Sequence, residues 1–102
     1  MLKILKKYNN IKENYKFMND WIYLMECLGV YNKKFETYTL RNLQREGDDF
    51  EGFKCIIQIP FGLLKSKLLD LKPYIEENLD CKFECESNPR NNFVCAEFKF
   101  IN

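Results

Sequence analysis

The chain has 102 residues, of which 46% are hydrophobic and 30% are charged, a balance typical of one globular domain rather than a disordered segment. Its formal net charge of +1 excludes any argument for nucleic-acid binding from overall charge, although basic residues gather near the N-terminus and near residue 65. No apolar run approaches the length of a membrane span, and the N-terminus lacks a secretory signal, so we expect a cytoplasmic protein without membrane contact. We treat residues 1–102 as one domain and residues 1–9 as a candidate basic arm.

The first predicted element is a long helix that begins near Asn10 and ends before Gly29. Asn10 stands three residues before Glu13, the spacing of a capping box, and Gly29 has the position of a glycine that follows a helix. Two apolar stripes lie side by side on this helix, and we expect the wide face they form to be the main core element. The first stripe contains Ile11, Tyr15, Met18, Ile22 and Met25, and the second contains Phe17, Trp21, Leu24 and Leu28.

Two strands are predicted next, at residues 36–46 and 52–60, joined by an acidic turn. Alternation in the second strand places four apolar residues on one face, namely Phe53, Cys55, Ile57 and Ile59. A second helix is predicted at residues 61–79, where Pro73 removes a backbone hydrogen bond and should kink or split the helix. Its predicted buried stripe contains Leu64, Leu68, Leu71, Ile75 and Leu79.

The last two predicted strands form a β-hairpin whose register follows from its side chains. The favoured register pairs apolar residues with apolar residues and charges with opposite charges, as cross-strand energetics require. The predicted pairs are Cys85 with Val94, Phe83 with Ala96, Cys81 with Phe98, Lys82 with Glu97, and Asp80 with Lys99. Residues 86–93 then form a projecting loop, and the chain has an α+β fold with the order α-β-β-α-β-β.

The residue types that support catalysis are scarce. The chain contains no histidine, and it has neither a nucleophile in a recognisable activating context nor a glycine-rich phosphate-binding loop. We therefore expect no enzymatic activity, no metal and no cofactor. The five cysteines lie in apolar periodic segments and are predicted to be reduced core thiols: Cys27, Cys55, Cys81, Cys85 and Cys95.

Two segments, "WIYLMECLGVYNK" and "GFKCIIQIPFGLLKSKLLDLKPYIEENL", carry a resemblance to a known family. Residues 21–101 resemble the domain that precedes the motor in FtsK/SpoIIIE-type conjugative coupling proteins, through Trp21–Val30, Gly52 and Ile59–Leu63. This chain has no ATPase motor, so DNA translocation is not implied. The composition is also similar to that of small accessory proteins of clostridial conjugative plasmids, among them a winged helix-turn-helix family that binds the origin of transfer. That resemblance implies DNA binding as a homodimer.

In a winged-helix fold, the C-terminal hairpin is the wing and residues 63–79 supply the helix before it. Arg90 at the wing tip is the type of side chain that enters a narrow, A·T-rich minor groove. The other predicted DNA-binding residues are Asn88, Asn91 and Asn92 in the wing, Lys65, Lys67 and Lys72 on the helix, and Lys3, Lys6 and Lys7 in the arm. For each group a structural alternative stays open: a plain turn, a solvated helix face, or a dimer contact through Leu2 and Leu5.

The sequence thus favours a DNA-binding accessory protein of conjugative plasmid transfer that recognises double-stranded DNA at the origin of transfer. Other conjugation proteins, such as a coupling ATPase or a relaxase, are expected partners. The alternative is a non-catalytic adaptor that docks such a coupling ATPase or relaxase through an exposed sheet face or edge.

Overall fold

The computed structural model describes residues 11–47, 51–86 and 92–101, and these ranges contain helices and strands in mixed order. Three helices and four strands are present in them. The helices are α1 (Ile11–Cys27), α2 (Lys65–Asp70) and α3 (Lys72–Leu79), and the strands are β1 (Thr39–Glu46), β2 (Gly52–Gln58), β3 (Cys81–Cys85) and β4 (Phe93–Phe100). The mixed α and β content is confirmed.

The strands form one antiparallel sheet in the order β1-β2-β4-β3. Burial alternates along β2, β3 and β4, so one face of the sheet is in the core and the other is uncovered by any described helix. All four apolar residues predicted to share a face of the second strand are buried, which confirms that face. Because β4 pairs with β2 as well as β3, the C-terminal hairpin is part of the main sheet, and the winged-helix assignment stays a prediction.

The predicted register of the C-terminal hairpin is wrong by two residues. The structure pairs Cys81 with Phe100 and Phe83 with Phe98, which places Lys82 opposite Lys99 instead of Glu97. A two-residue shift keeps the same side chains in the core, and it brings Phe100 into the sheet, where its ring lies edge-on to those of Phe17 and Phe53. Burying a phenylalanine is worth about 2 kcal/mol, whereas exposed charge pairs contribute roughly 0–1 kcal/mol, so burial decides the register.

Helix α1 uses only part of the apolar face that was predicted. Phe17, Trp21 and Leu24 are buried, so the second stripe faces the core. The first stripe is wrong for Tyr15 and Ile22, which are exposed, whereas its last member, Met25, is buried. The helix ends as expected: Gly29 has φ +66°, and the N–H groups of Gly29 and Val30 donate to the carbonyls of Glu26 and Met25 in a Schellman arrangement. The predicted start at Asn10 lies outside the described residues.

Pro73 splits the second predicted helix into α2 and α3, one of the two outcomes expected for it. The order is therefore α-β-β-α-α-β-β, a correction to the single second helix of the prediction. Proline lies in the first turn of α3, where its missing N–H has no helical partner to lose. Leu64 is exposed and precedes α2, so its place in the buried stripe was wrong, while the four other members of that stripe are buried.

A chain of buried polar contacts connects α1 to the start of α2. Trp21 Nε1 donates to the carbonyl of Tyr38 at 2.7 Å, and the Tyr38 hydroxyl donates to the carbonyl of Leu64 at 2.5 Å. Burial raises the pKa of Tyr38 to about 12, so the hydroxyl keeps its proton and stays a donor. These bonds satisfy polar groups inside the core and fix where α2 begins.

The cysteines are only partly core residues. Cys55 and Cys81 are buried and Cys85 is half-buried, but Cys27 and Cys95 are exposed, so the prediction of five core thiols is wrong for those two. Cys95 lies on β4 between buried Val94 and Ala96 and therefore points to the uncovered face. Within the described residues, no helix has the length and apolar character needed to cross a membrane.

Candidate nucleic-acid interface

Two of the predicted phosphate-binding lysines lie near the end of β3. Lys65 starts α2 and Lys72 starts α3, and both lie close enough to Cys85 to act on its thiol. Burial raises the pKa of Cys85, and the positive charges of Lys65 and Lys72 oppose that rise while Glu84 adds to it. We call Lys65, Lys72 and Cys85 the wing base, because the loop after β3 begins here.

The other end of this loop is bonded to the residue that follows β2. Asn92 precedes β4, and its carbonyl accepts a hydrogen bond from the N–H of Ile59 at 2.7 Å. Asn92 has φ +67°, a left-handed conformation that asparagine tolerates better than most residues. Its side chain is exposed, so it is available to a ligand of the loop. The N–H of Glu86 donates to the carbonyl of Cys95 at 3.0 Å and continues the hairpin ladder up to the loop.

The remaining predicted DNA-binding residues are not joined to the wing base by the structure. Lys67 is exposed on α2. Arg90, Asn88 and Asn91 in the loop, and Lys3, Lys6 and Lys7 in the N-terminal arm, lie outside the described residues, as do Leu2 and Leu5 of the alternative dimer contact. Of the predicted set, Lys65 and Lys72 are therefore the two lysines whose charges act on the same group, the thiol of Cys85.

The uncovered sheet face carries an acidic pair that the sequence did not indicate. Lys54 Nζ lies 3.2 Å from Glu46 Oε2, while Glu46 Oε1 is buried without a fixed donor among the described residues. A hydrogen bond to Glu46 raises the pKa of Glu97, with burial and charge repulsion adding to the rise. Burial opposes ionisation of Glu46, but its bonds from Glu97 and Lys54 outweigh that effect and lower the pKa of Glu46. The ionisation of the two carboxyls is therefore coupled across β2.

Gly52 makes this contact across β2 possible. It is paired with Glu46 on one side and Lys99 on the other, and it presents no side chain between β1 and β4. A Cβ added at Gly52 would lie 1.9 Å from the carbonyl oxygen of Phe98. The glycine noted in the sequence resemblance therefore reflects a close backbone approach in the sheet.

Exposed aromatic residues at the loops around α2 were missed by sequence reasoning. Phe35 and Phe61 are 80% and 90% exposed, and Tyr31 is 44% exposed with its ring centroid 5.5 Å from that of Phe35. The available signal was position: Phe35 stands between two predicted elements and Phe61 is the first residue of the second predicted helix, directly after Pro60. Asn32 connects the two loops by donating from Nδ2 to the carbonyl of Phe61 at 2.9 Å.

No family model and no curated protein sequence matches the chain. Among solved structures, the fold is similar to that of the conjugation coupling protein TcpA of pCW3, in its monomer form with ATPγS. The likeness has a TM-score of 0.66 at 10% sequence identity. It is a likeness of fold. The superposition covers 83% of this chain but 23% of the coupling protein, so the chain corresponds to a small part of it. The neighbour is a coupling protein of conjugation, the class that the sequence resembled.

Proposed function

We propose that the chain is a non-catalytic, cofactor-free accessory protein of conjugative plasmid transfer. It binds double-stranded DNA of the origin of transfer, as a homodimer, through the loop after β3 and the lysines below it. Other components of the conjugation machinery, such as a coupling ATPase or a relaxase, are its protein partners. The observation that supports this proposal is the position of Lys65 and Lys72 at the starts of α2 and α3, where both charges act on Cys85 at the end of β3.

Two ammonium groups at the foot of a loop are suited to phosphates on either side of an inserted side chain. Phosphate contacts position a protein on duplex DNA, and a residue in the groove adds selectivity. Lys65 is the first residue of α2 and Lys72 is the first residue of α3. Arg90 is the groove-reading residue in this proposal, because an A·T-rich minor groove attracts an arginine guanidinium.

The structural neighbour supports the biological setting of the proposal. It is a conjugation coupling protein, and 83% of this chain shares its fold with a TM-score of 0.66. A domain whose fold also occurs in a coupling protein is suited to work in the same transfer process, by contacting the same DNA or the same proteins. At 10% identity, the likeness does not indicate whether the contacts are with DNA or with proteins. The charge and shape of this chain are therefore the basis for that part of the proposal.

The test is a salt titration of duplex binding with a matched pair of double variants. Lys65→Gln/Lys72→Gln removes the two wing-base charges, and Lys82→Gln/Lys99→Gln removes two lysines that face each other at the opposite end of the β3–β4 ladder. Each lost phosphate contact lowers the slope of log Kobs against log salt by about 0.9, so the first variant should lose about two units of slope. Fluorescence anisotropy with an A·T-rich duplex measures the slope for both double variants.

The control variant should keep the slope of the parent, because Lys82 and Lys99 lie away from the wing base. It is a matched control because both double variants change the net charge equally. An equal loss of slope in the two variants would contradict a localised site and indicate diffuse attraction. Arg90→Ala should weaken binding to an origin-of-transfer duplex more than binding to a random duplex, since a groove contact reads sequence-dependent shape.

The uncovered sheet face favours a second candidate function, docking of a protein. Ile56 is half-buried and Phe93 is 39% exposed on this face, among charges of both signs that are less suited to DNA. A depression of about 590 Å³ lies there, and its lining includes Gln44, Lys54, Glu84, Cys95 and Glu97. Absence of duplex binding even at low salt would favour this adaptor over the DNA-binding protein.

A further inference from the structure

The loop between α1 and β1 is held rigidly by one side chain. Asn32 Oδ1 accepts hydrogen bonds from the N–H groups of Lys34 and Glu36 at 2.9 and 3.0 Å. Its Nδ2 donates to Glu36 Oε1 at 2.8 Å and to the carbonyl of Phe61 at 2.9 Å. Backbone bonds of 3.0 Å from Asn32 N–H to the Glu36 carbonyl and from Phe35 N–H to the Asn32 carbonyl close the turn. The loop and the segment after β2 are therefore one ordered junction.

This junction presents a phenylalanine in a strained conformation. Phe35 has φ +61°, which costs a non-glycine residue about 1 kcal/mol, and its side chain is 80% exposed. The ring gains little from the core in return, since its aromatic neighbour is Tyr31, itself 44% exposed. Strain that brings no packing is suited to a residue that is held ready for a ligand.

The surroundings of Phe35 carry positive charge. Lys33 and Lys34 precede it and are exposed, whereas the nearby carboxylate of Glu36 is bound by Asn32. On the other side of the junction, Phe61 is 90% exposed. Open aromatic rings beside lysines are the combination with which proteins hold unpaired nucleic acid: bases stack on the rings and ammonium groups contact the phosphates.

We propose that Tyr31, Phe35 and Phe61, with Lys33 and Lys34, form a stacking site for unpaired bases of single-stranded DNA. We call these five residues the aromatic platform. This activity is separate from duplex binding at the wing base, and either one can exist without the other. Pre-organisation by Asn32 lowers the entropy that is lost when a strand is ordered on the rings.

The test compares single-stranded and duplex DNA on the same variants by fluorescence anisotropy. Phe35→Gly removes the ring and introduces the residue that adopts φ +61° without strain, so the variant should stay folded. Its affinity for an oligo(dT) of about 20 nucleotides should fall about tenfold, the effect of one lost stacked base, while its affinity for a hairpin duplex stays that of the parent. Phe61→Ala should act in the same direction, because it keeps the backbone carbonyl that Asn32 binds.

Phe35→Tyr keeps a ring and should keep oligo(dT) affinity. Tyr15→Ala is the matched control, since it removes a 66% exposed ring from α1, outside the platform, and should also bind as the parent does. The proposal is overturned if the parent does not bind oligo(dT). Parental oligo(dT) affinity in Phe35→Gly would also overturn it and leave a protein partner as the occupant of the platform. Equal losses of oligo(dT) and duplex affinity would overturn its specificity for unpaired bases.

Discussion

Substitution of Gly52 by alanine tests the closest backbone approach in the sheet. A Cβ at this position would lie 1.9 Å from the carbonyl oxygen of Phe98, 2.9 Å from its carbonyl carbon and 3.0 Å from the Cα of Lys99. All three atoms belong to the backbone of β4, so no side-chain rotation can relieve the contact. Strand β4 or β2 must move by roughly 1.5 Å to restore ordinary van der Waals separation.

The expected loss of stability follows from what that movement disturbs. Overpacking of a filled core costs about 1–3 kcal/mol, and weakening a ladder hydrogen bond next to Gly52 adds about 1 kcal/mol. The phenyl rings of Phe53 and Phe98 sit beside the affected pair and both contact Phe17, so the disturbance reaches the centre of the core. We expect Gly52→Ala to lower the free energy of unfolding by about 2–4 kcal/mol, a large share of the total for a domain of this size.

Gly29→Ala is the matched comparison, because it has the opposite physical basis. Gly29 has φ +66° and no atom within 4 Å of an added Cβ. Alanine there should therefore lower the free energy of unfolding only through the strain of its left-handed backbone, by about 1 kcal/mol. Urea unfolding followed by circular dichroism gives both values from the transition midpoints. If Gly52→Ala costs no more than Gly29→Ala, the close approach of β2 and β4 is wrong as described.

Two further predictions concern titratable groups. The raised pKa of Glu97 stabilises the folded protein below the ordinary glutamate value of 4.5, and this contribution is lost as the pH rises through the raised pKa. Glu97→Gln keeps a donor to Glu46 at every pH, so its stability relative to the parent should increase as the pH rises above about 4.5 in urea titrations, and a pH-independent difference would contradict the coupling of Glu97 to Glu46. With a thiol reagent, Cys27 and Cys95 should react in the folded protein, because both are exposed. Burial raises the pKa values of Cys55 and Cys81 to about 12, so these thiols should react only on unfolding, and rapid labelling of either would contradict their burial.

The features that were predicted correctly depend on local signals. The β1–β2 hairpin, the glycine after α1 and the division of the second helix at Pro73 each follow from residues within a few positions of one another. Such signals act through backbone conformation or missing donors, and they have the same effect in most tertiary settings. The buried stripe of α1 and the register of β3 against β4 were not predicted correctly. For each of them the local sequence is compatible with two arrangements, so local signals do not select one.

The candidate sites show the same division. Lys65 and Lys72 were predicted from their positions off the apolar stripe. Their common effect on the thiol of Cys85 is a feature of the tertiary structure, in which they begin two separate helices. The contact from Asn32 to the carbonyl of Phe61 joins residues 29 positions apart, and Glu46 and Glu97 are farther apart still. No spacing rule in a single sequence reports contacts of that separation.

By itself, the sequence determined the kinds of elements, most of their limits and which residues are apolar enough to form a core. Only the tertiary structure decided which apolar side chains enter that core, because burial is a competition between faces for limited space. Phe100 is buried, and the register of the hairpin differs by two residues from the predicted one, while Phe35, Phe61 and Leu64 are exposed. Packing of the sheet against the described helices determines which side chains are buried and which surfaces remain exposed.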